Sequence, residues 1–261
     1  MPPSNPLAVR SSNPVLNAST FGNRSTIAGT AGAMTIDGTV NKTALSLVIL
    51  LITAAWVWTL GTAQTLEGPA NLAAVAPWTM VGVVGGFIVA MVTTFKREWS
   101  PALAPAYAAL EGLALGGISV VTEARYPGIV SQAVFLTFGT LGALLLAYRS
   151  GFIKVTDNLR LGIFAATGGI ALVYLVGFIM SFFGTGIPMI HGSGMVGIGF
   201  SLVVVGVAAM NLVLDFDFIE QGAAAGAPKY MEWYAAFGLM VTLVWLYIEI
   251  LRLLSKLQER R

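Results

Sequence analysis

The chain has 261 residues, no cysteine, a single histidine (His191) and a net charge of only +2. That inventory leaves out disulfides, thiolate or multi-histidine metal sites and a conventional Ser-His-Asp triad, and so small a charge argues against nucleic acid as a partner. Hydrophobic residues make up 56% and charged residues 10%, with a mean hydropathy of +0.81. Soluble domains carry about 25% charged residues, so lipid is expected to solvate this surface.

Residues 1–42 are rich in Ser, Asn, Thr, Pro and Gly. They hold too little apolar area to offset their ordering entropy and read as a disordered polar tail. No apolar core precedes a cleavage site, so a signal peptide is not expected and the first apolar segment is read as a retained anchor. From residue 43 to 256 the chain alternates long apolar runs with short turn-rich breaks. A crossing helix needs about 20 apolar residues, and runs of that kind lie near 43–63, 77–95, 102–122, 129–148, 160–183, 194–215 and 231–254. Backbone polar groups in lipid must be satisfied internally, and the runs lack the alternation of barrel strands. The expected fold is therefore an all-α integral membrane bundle of seven helices, followed by a short basic tail at 257–261.

Lys42, Lys96, Arg97, Arg149, Lys154, Arg160 and Lys229 flank alternate connections, while the intervening ones hold only Arg125. The positive-inside rule then places the N-terminus in the cytoplasm. The tail disagrees: seven crossings would put Arg252, Lys256, Arg260 and Arg261 outside. Either those charges are tolerated there or the last segment re-enters and returns.

Small residues recur at helical spacing: Gly82 and Gly86 on the second segment, Gly112 and Gly116 on the third, and Gly197, Gly199 and Gly206 on the sixth. Such stripes let helix backbones approach closely in lipid. Glu111 falls about 15 Å into the third segment, where a carboxylate is costly and is expected to face the bundle interior. "LVLDFDFIEQ" puts Asp215, Asp217 and Glu220 at the end of the sixth apolar run. Acids at a helix C-terminus oppose the macrodipole, and two crowded carboxylates oppose each other. That arrangement points to a partner such as a cation, a shared proton or a basic residue on another helix. Hard oxygen ligands suit Ca²⁺, and a site near Asp215 and Asp217 would have to be assembled between helices, since EF-hand spacing is absent. Glu232 opens the seventh segment, where the helix N-terminus favours it. Glu249 lies about 28 Å along that segment and is placed to pair with Arg252. No nucleophile–base pair or metal-ligand cluster is visible, so neither enzymatic activity nor a cofactor is expected.

Three stretches together resemble one family. "LVLDFDFIEQ" is similar to the end of the sixth helix of the Bax inhibitor-1 family, "YAALEGLALGGIS" to its third helix and "PGIVSQAVFLTFGTLGALLLAYRSG" to its fourth. "GAPKYMEWYAAFGL" and the polar tail resemble a bacterial branch. The resemblance implies a seven-helix bundle with the last helix central, in a bacterial inner membrane. It also implies a pH-sensitive calcium leak, or instead a non-conducting regulator of another membrane protein such as a quality-control AAA protease. Bacterial members carry a proton-sensitive aspartate on each of helices six and seven. Asp215 matches the first best, with Asp217 close behind. The helix-seven position falls on Thr242, not Glu249, so the resemblance implies that Asp217, Glu232 or Glu111 stands in as the second acid. Glu111 matches the family's third-helix acid.

Overall fold

The computed structural model describes residues 32–62, 70–184 and 192–260, so His191 and residues 1–31 lie outside the described part. Seven long helices appear there: α1 (Ile36–Thr62), α2 (Leu72–Phe95), α3 (Ser100–Arg125), α4 (Ile129–Arg149), α5 (Asp157–Phe182), α6 (Met195–Ala224) and α7 (Met231–Glu259). A single 3₁₀ turn, Arg97–Trp99, joins α2 to α3. All seven helices are long and apolar enough to cross a bilayer, and they make a seven-transmembrane-helix bundle.

Local chemistry sets several boundaries. Asn71 caps α2 by accepting from the Ala74 amide at 3.1 Å, and Thr156 caps α5 by accepting from Leu159 at 3.3 Å. Glu123, near the end of α3, accepts from the amides of Gly128 (2.6 Å) and Val130 (3.1 Å) and so caps α4. The α6–α7 turn runs through Gly226 at φ 64°, a left-handed conformation that suits glycine.

The helix boundaries differ from the sequence expectation at three places. First, α1 begins at Ile36, inside the stretch assigned to the polar tail. The Thr35 hydroxyl accepts from Gly38 at 3.0 Å, and residues 32–34 bridge to the α6–α7 turn through Met34 N–H to the Ala227 carbonyl (2.7 Å). Second, α6 runs on to Ala224, so Asp215 and Asp217 lie inside a helix rather than at its C-terminus. Third, α7 runs to Glu259, taking in residues assigned to the basic tail.

The last helix is central. It packs against α1, α3, α4 and α6. Of its most apolar window 61% is buried, against 11% for α5, whose neighbour in the bundle is α6. It is one uninterrupted helix of 29 residues, about 43 Å long at 1.5 Å per residue. Its first turn meets the start of α1, and its last turn meets the end of α3 through Arg125 and Glu259 at 3.2 Å. A single crossing follows, and a re-entrant last segment does not fit this helix.

Glycine decides how closely α3 approaches its neighbours. A side chain at Gly112 would collide with Thr53 and the Leu50 carbonyl of α1, and one at Gly116 would meet the Ala54 carbonyl at 2.6 Å. A Cβ at Gly82 of α2 would fall on the Ala114 amide and 2.6 Å from the Leu110 carbonyl of α3. In lipid, close van der Waals contact of this kind holds helices together. The same expectation fails for Gly199 and Gly206, which face open space.

Candidate functional site

Three of the basic residues used above to orient the chain, Lys42, Arg160 and Lys229, pair with acids of α6 and α7. Asp217 on α6 pairs with Arg160 on α5 at 2.7 Å and accepts from Gln221 at the same distance. Glu220 accepts from the Tyr148 hydroxyl of α4 at 2.5 Å. Glu232 is fully buried and densely served: it pairs with Lys42 of α1, with Lys229 at 2.7 Å, and accepts from the Thr35 amide and hydroxyl, each at 2.9 Å. The sequence places Lys42 190 residues from this partner, so no local pattern announces the pair.

Asp215 is different. Two positions along a helix turn a side chain by about 200°, so Asp215 and Asp217 face opposite ways and do not crowd each other. Asp215 faces α7 beside the Thr242 hydroxyl. Thr242 is buried, and its hydroxyl donates to the Gly238 carbonyl at 3.3 Å. The Oδ2 atom of Asp215 is buried, with no hydrogen-bond partner among the described residues. Beside it lies a cavity of about 200 Å³ lined by Asp215, Phe218, Tyr234, Ala235, Phe237 and Gly238. The cavity occupies the α6–α7 seam about ten ångströms from the start of α7, at 1.5 Å per residue.

The anticipated second acid does not join Asp215. Asp217 is engaged by Arg160, and Glu232 by Lys42, Lys229 and Thr35. Glu111 lies part-buried between α3 and α2, where it interacts with Tyr107 one turn earlier. A Cβ at Gly86 would come within 2.9 Å of its Oε1, so the glycine makes room for the carboxylate. Glu111 is linked to the cavity only indirectly, since Tyr107 stacks edge-on against Phe237 with centroids 4.9 Å apart.

Glu249 sits two helical turns beyond Thr242 and has its own partners. Its Oε1 accepts from Arg252 (2.8 Å) and from the Tyr174 hydroxyl of α5 (2.9 Å), while Oε2 is buried without a partner among the described residues. Lys256, two turns beyond Glu249, donates to the Gly197 carbonyl and the Ser201 hydroxyl at the start of α6, at 3.0 and 2.8 Å. Two of the four cations at the end of α7 that oppose the charge rule are thus bound within the protein, Arg252 to Glu249 and Lys256 to α6. Tyr174, Lys256 and the rings of Phe218, Tyr234 and Phe237 carried no sequence signal of their own, since aromatic and basic residues near helix ends are common in membrane proteins.

The bundle with its central last helix fits the resemblance drawn from the sequence. The profile of the family described as Bax inhibitor 1 like matches residues 13–259, nearly the whole chain. The chain belongs to the Bax inhibitor 1 like family. No curated protein and no solved structure gives a significant match. In this Bax inhibitor 1 like chain, Thr242 is the α7 hydroxyl residue beside Asp215.

Proposed function

We propose that this protein is a pH-sensitive cation leak channel, passing Ca²⁺ across a bacterial plasma membrane with its N-terminus in the cytoplasm, and that Asp215 is its proton sensor. The observation that carries this reading is the buried, unpartnered Oδ2 of Asp215 beside a cavity on the seam of the central helix. An ionisable group inside a membrane bundle is by default functional. Its ionised form attracts cations and strains for a partner; its protonated form donates to one. The two forms therefore favour different α6–α7 packings, which is what a charge-biased two-state element requires. Thr242 replaces the second acid of the family's pair, so a single carboxylate is left to titrate. Asp217 and Glu220 hold the surrounding helices through Arg160 and Tyr148, and Glu111 serves the α2–α3 contact. No enzymatic step is part of this reading.

The test is Ca²⁺ flux into liposomes holding the purified protein, at acidic and alkaline pH, for wild type and Asp215→Asn. A leak that varies with pH in the wild type and is flat in the variant supports the proposal. A pH profile that survives the substitution removes Asp215 as the sensor.

One observation favours a second reading, a non-conducting regulator that binds another membrane protein such as a quality-control protease. Helix α5 is covered mainly by α6, and its Leu161, Phe164, Leu172 and Phe178 are exposed. Absence of any flux above protein-free liposomes would select that reading.

A further inference from the structure

The cavity beside Asp215 has a composition that a bare metal ion does not require. A divalent cation such as Ca²⁺ takes six to eight oxygen ligands. Here one carboxylate faces a lining made of three aromatic rings, an alanine and a glycine. The rings stand around the space rather than in a stack: Phe218 and Tyr234 are 6.5 Å apart at 61°, and Tyr234 and Phe237 are 6.2 Å apart at 43°. Phe237 is held in place by the edge of Tyr107. Gly238 offers open space where a side chain would otherwise reduce the volume. Tyr234 already accepts a cation within the protein, since the Arg97 guanidinium lies 5.3 Å from its ring centroid.

Aromatic faces attract cations through the ring quadrupole, most strongly when the cation is weakly hydrated and can shed its water. Alkylammonium groups meet that condition and small inorganic ions do not. A carboxylate residue at one wall and rings at the others therefore match a positive charge spread over carbon.

The geometry points to a binding site for a small organic ammonium ion in this cavity, with Asp215 as its counter-ion and Phe218, Tyr234 and Phe237 as its aromatic walls. The site goes beyond the leak reading, because it names a ligand class and does not require conduction. Phe218, on the α6 wall of the cavity, is 44% exposed.

The experiment is calorimetric titration of the full chain in detergent micelles with choline, and with neohexyl alcohol, the uncharged carbon isostere of choline. Saturable choline binding is expected, with the alcohol about tenfold weaker or more because it has the shape without the charge. Asp215→Asn is expected to abolish choline binding. Tyr234→Leu is expected to weaken it several-fold while leaving the carboxylate in place. Helical melting curves establish that each variant is folded. Should Asp215→Asn fail to fold, the choline-to-alcohol ratio and Tyr234→Leu decide the matter. Equal binding of choline and the alcohol would reduce the site to a greasy pocket and overturn the proposal, as would absence of saturable choline binding or wild-type binding by the folded variants. Heat, not flux, is the readout, so failure here leaves the leak reading standing and failure of the leak leaves this site standing.

Discussion

Glu232 and Asp215 are two acids near the same end of the same helix seam, and the protein treats them in opposite ways. Glu232 receives two cations and two further donors from Thr35. Asp215 has the Thr242 hydroxyl beside it, and its Oδ2 is buried with no hydrogen-bond partner among the described residues. The difference teaches which carboxylate belongs to the fold and which is free to act. A fully satisfied buried ion pair fixes a geometry: here it ties the start of α1 to the start of α7, with the bridge from Ala33 to Pro228 alongside. A half-satisfied one has energy to release when a proton or a cation arrives. Glu249 lies between the two, with Arg252 and Tyr174 on one oxygen and nothing on the other.

The most damaging way to break the comparison is to remove the satisfied acid. Glu232→Ala leaves Lys42 beside an empty pocket, and losing one partner of a buried pair costs about 3–5 kcal/mol. Denaturant titration in mixed micelles is expected to show a loss of that size, and a loss below about 1 kcal/mol would mean that Glu232 does not hold α1 to α7. Next comes the packing between α2 and α3, on which the bundle around the seam depends. Gly82→Val places a side chain against the Ala114 amide and the Leu110 carbonyl, and overpacking of this kind costs about 1–3 kcal/mol. The same substitution at Gly206, which faces open space, is expected to leave the unfolding curve in place.

Asp217→Asn sharpens the comparison at smaller cost. It loses a partly exposed pair with Arg160, and a loss of about 1 kcal/mol or less is expected, with the pH profile of flux retained. Asp215→Asn is the counterpart. Asparagine fills the same volume and Asp215 forms no ion pair among the described residues, so stability is expected to change by less than about 1 kcal/mol while the pH response is lost. Equal loss of stability at Asp215 and Glu232 would erase the distinction drawn between them. The smallest effect is expected from Arg125→Ala at the opposite end. Its pair with Glu259 is exposed, at 71% and 35%, and pairs of that kind contribute about 0.2–1 kcal/mol at most.

Much of the architecture is legible from the residues in order. Seven apolar runs of sufficient length require seven helices, because the backbone in lipid has no other way to satisfy itself. The glycine pairs at 82/86 and 112/116 mark the two tightest contacts, because a backbone can approach only where no Cβ intervenes. The pairing of Glu249 with Arg252 is also local, three residues along one helix, and so could be anticipated.

The candidate site is less legible. Asp215 and Asp217 stand in one short motif, yet the helix rotates them onto different neighbours. The assignment of a role to each depends on where α6 ends, and apolar run length misplaced that end by nine residues, at 215 rather than 224. An apolar run stops at its first charges, whereas a helix continues as long as its polar side chains find partners on other helices.

Composition and periodicity by themselves determined the membrane and the number of helices, because each of these follows from interactions within one segment or between a segment and lipid. Only the tertiary structure decided that α7 is central, that Lys42 and Thr35 answer Glu232, that Arg160 answers Asp217, and that Asp215 is left facing Thr242 and a ring-lined cavity. The ion pairs and hydrogen bonds of Asp217 and Glu232 among them join residues 57 to 197 positions apart. Such pairs are brought together by helix packing, and no periodicity in a single segment encodes which partner a buried charge will meet.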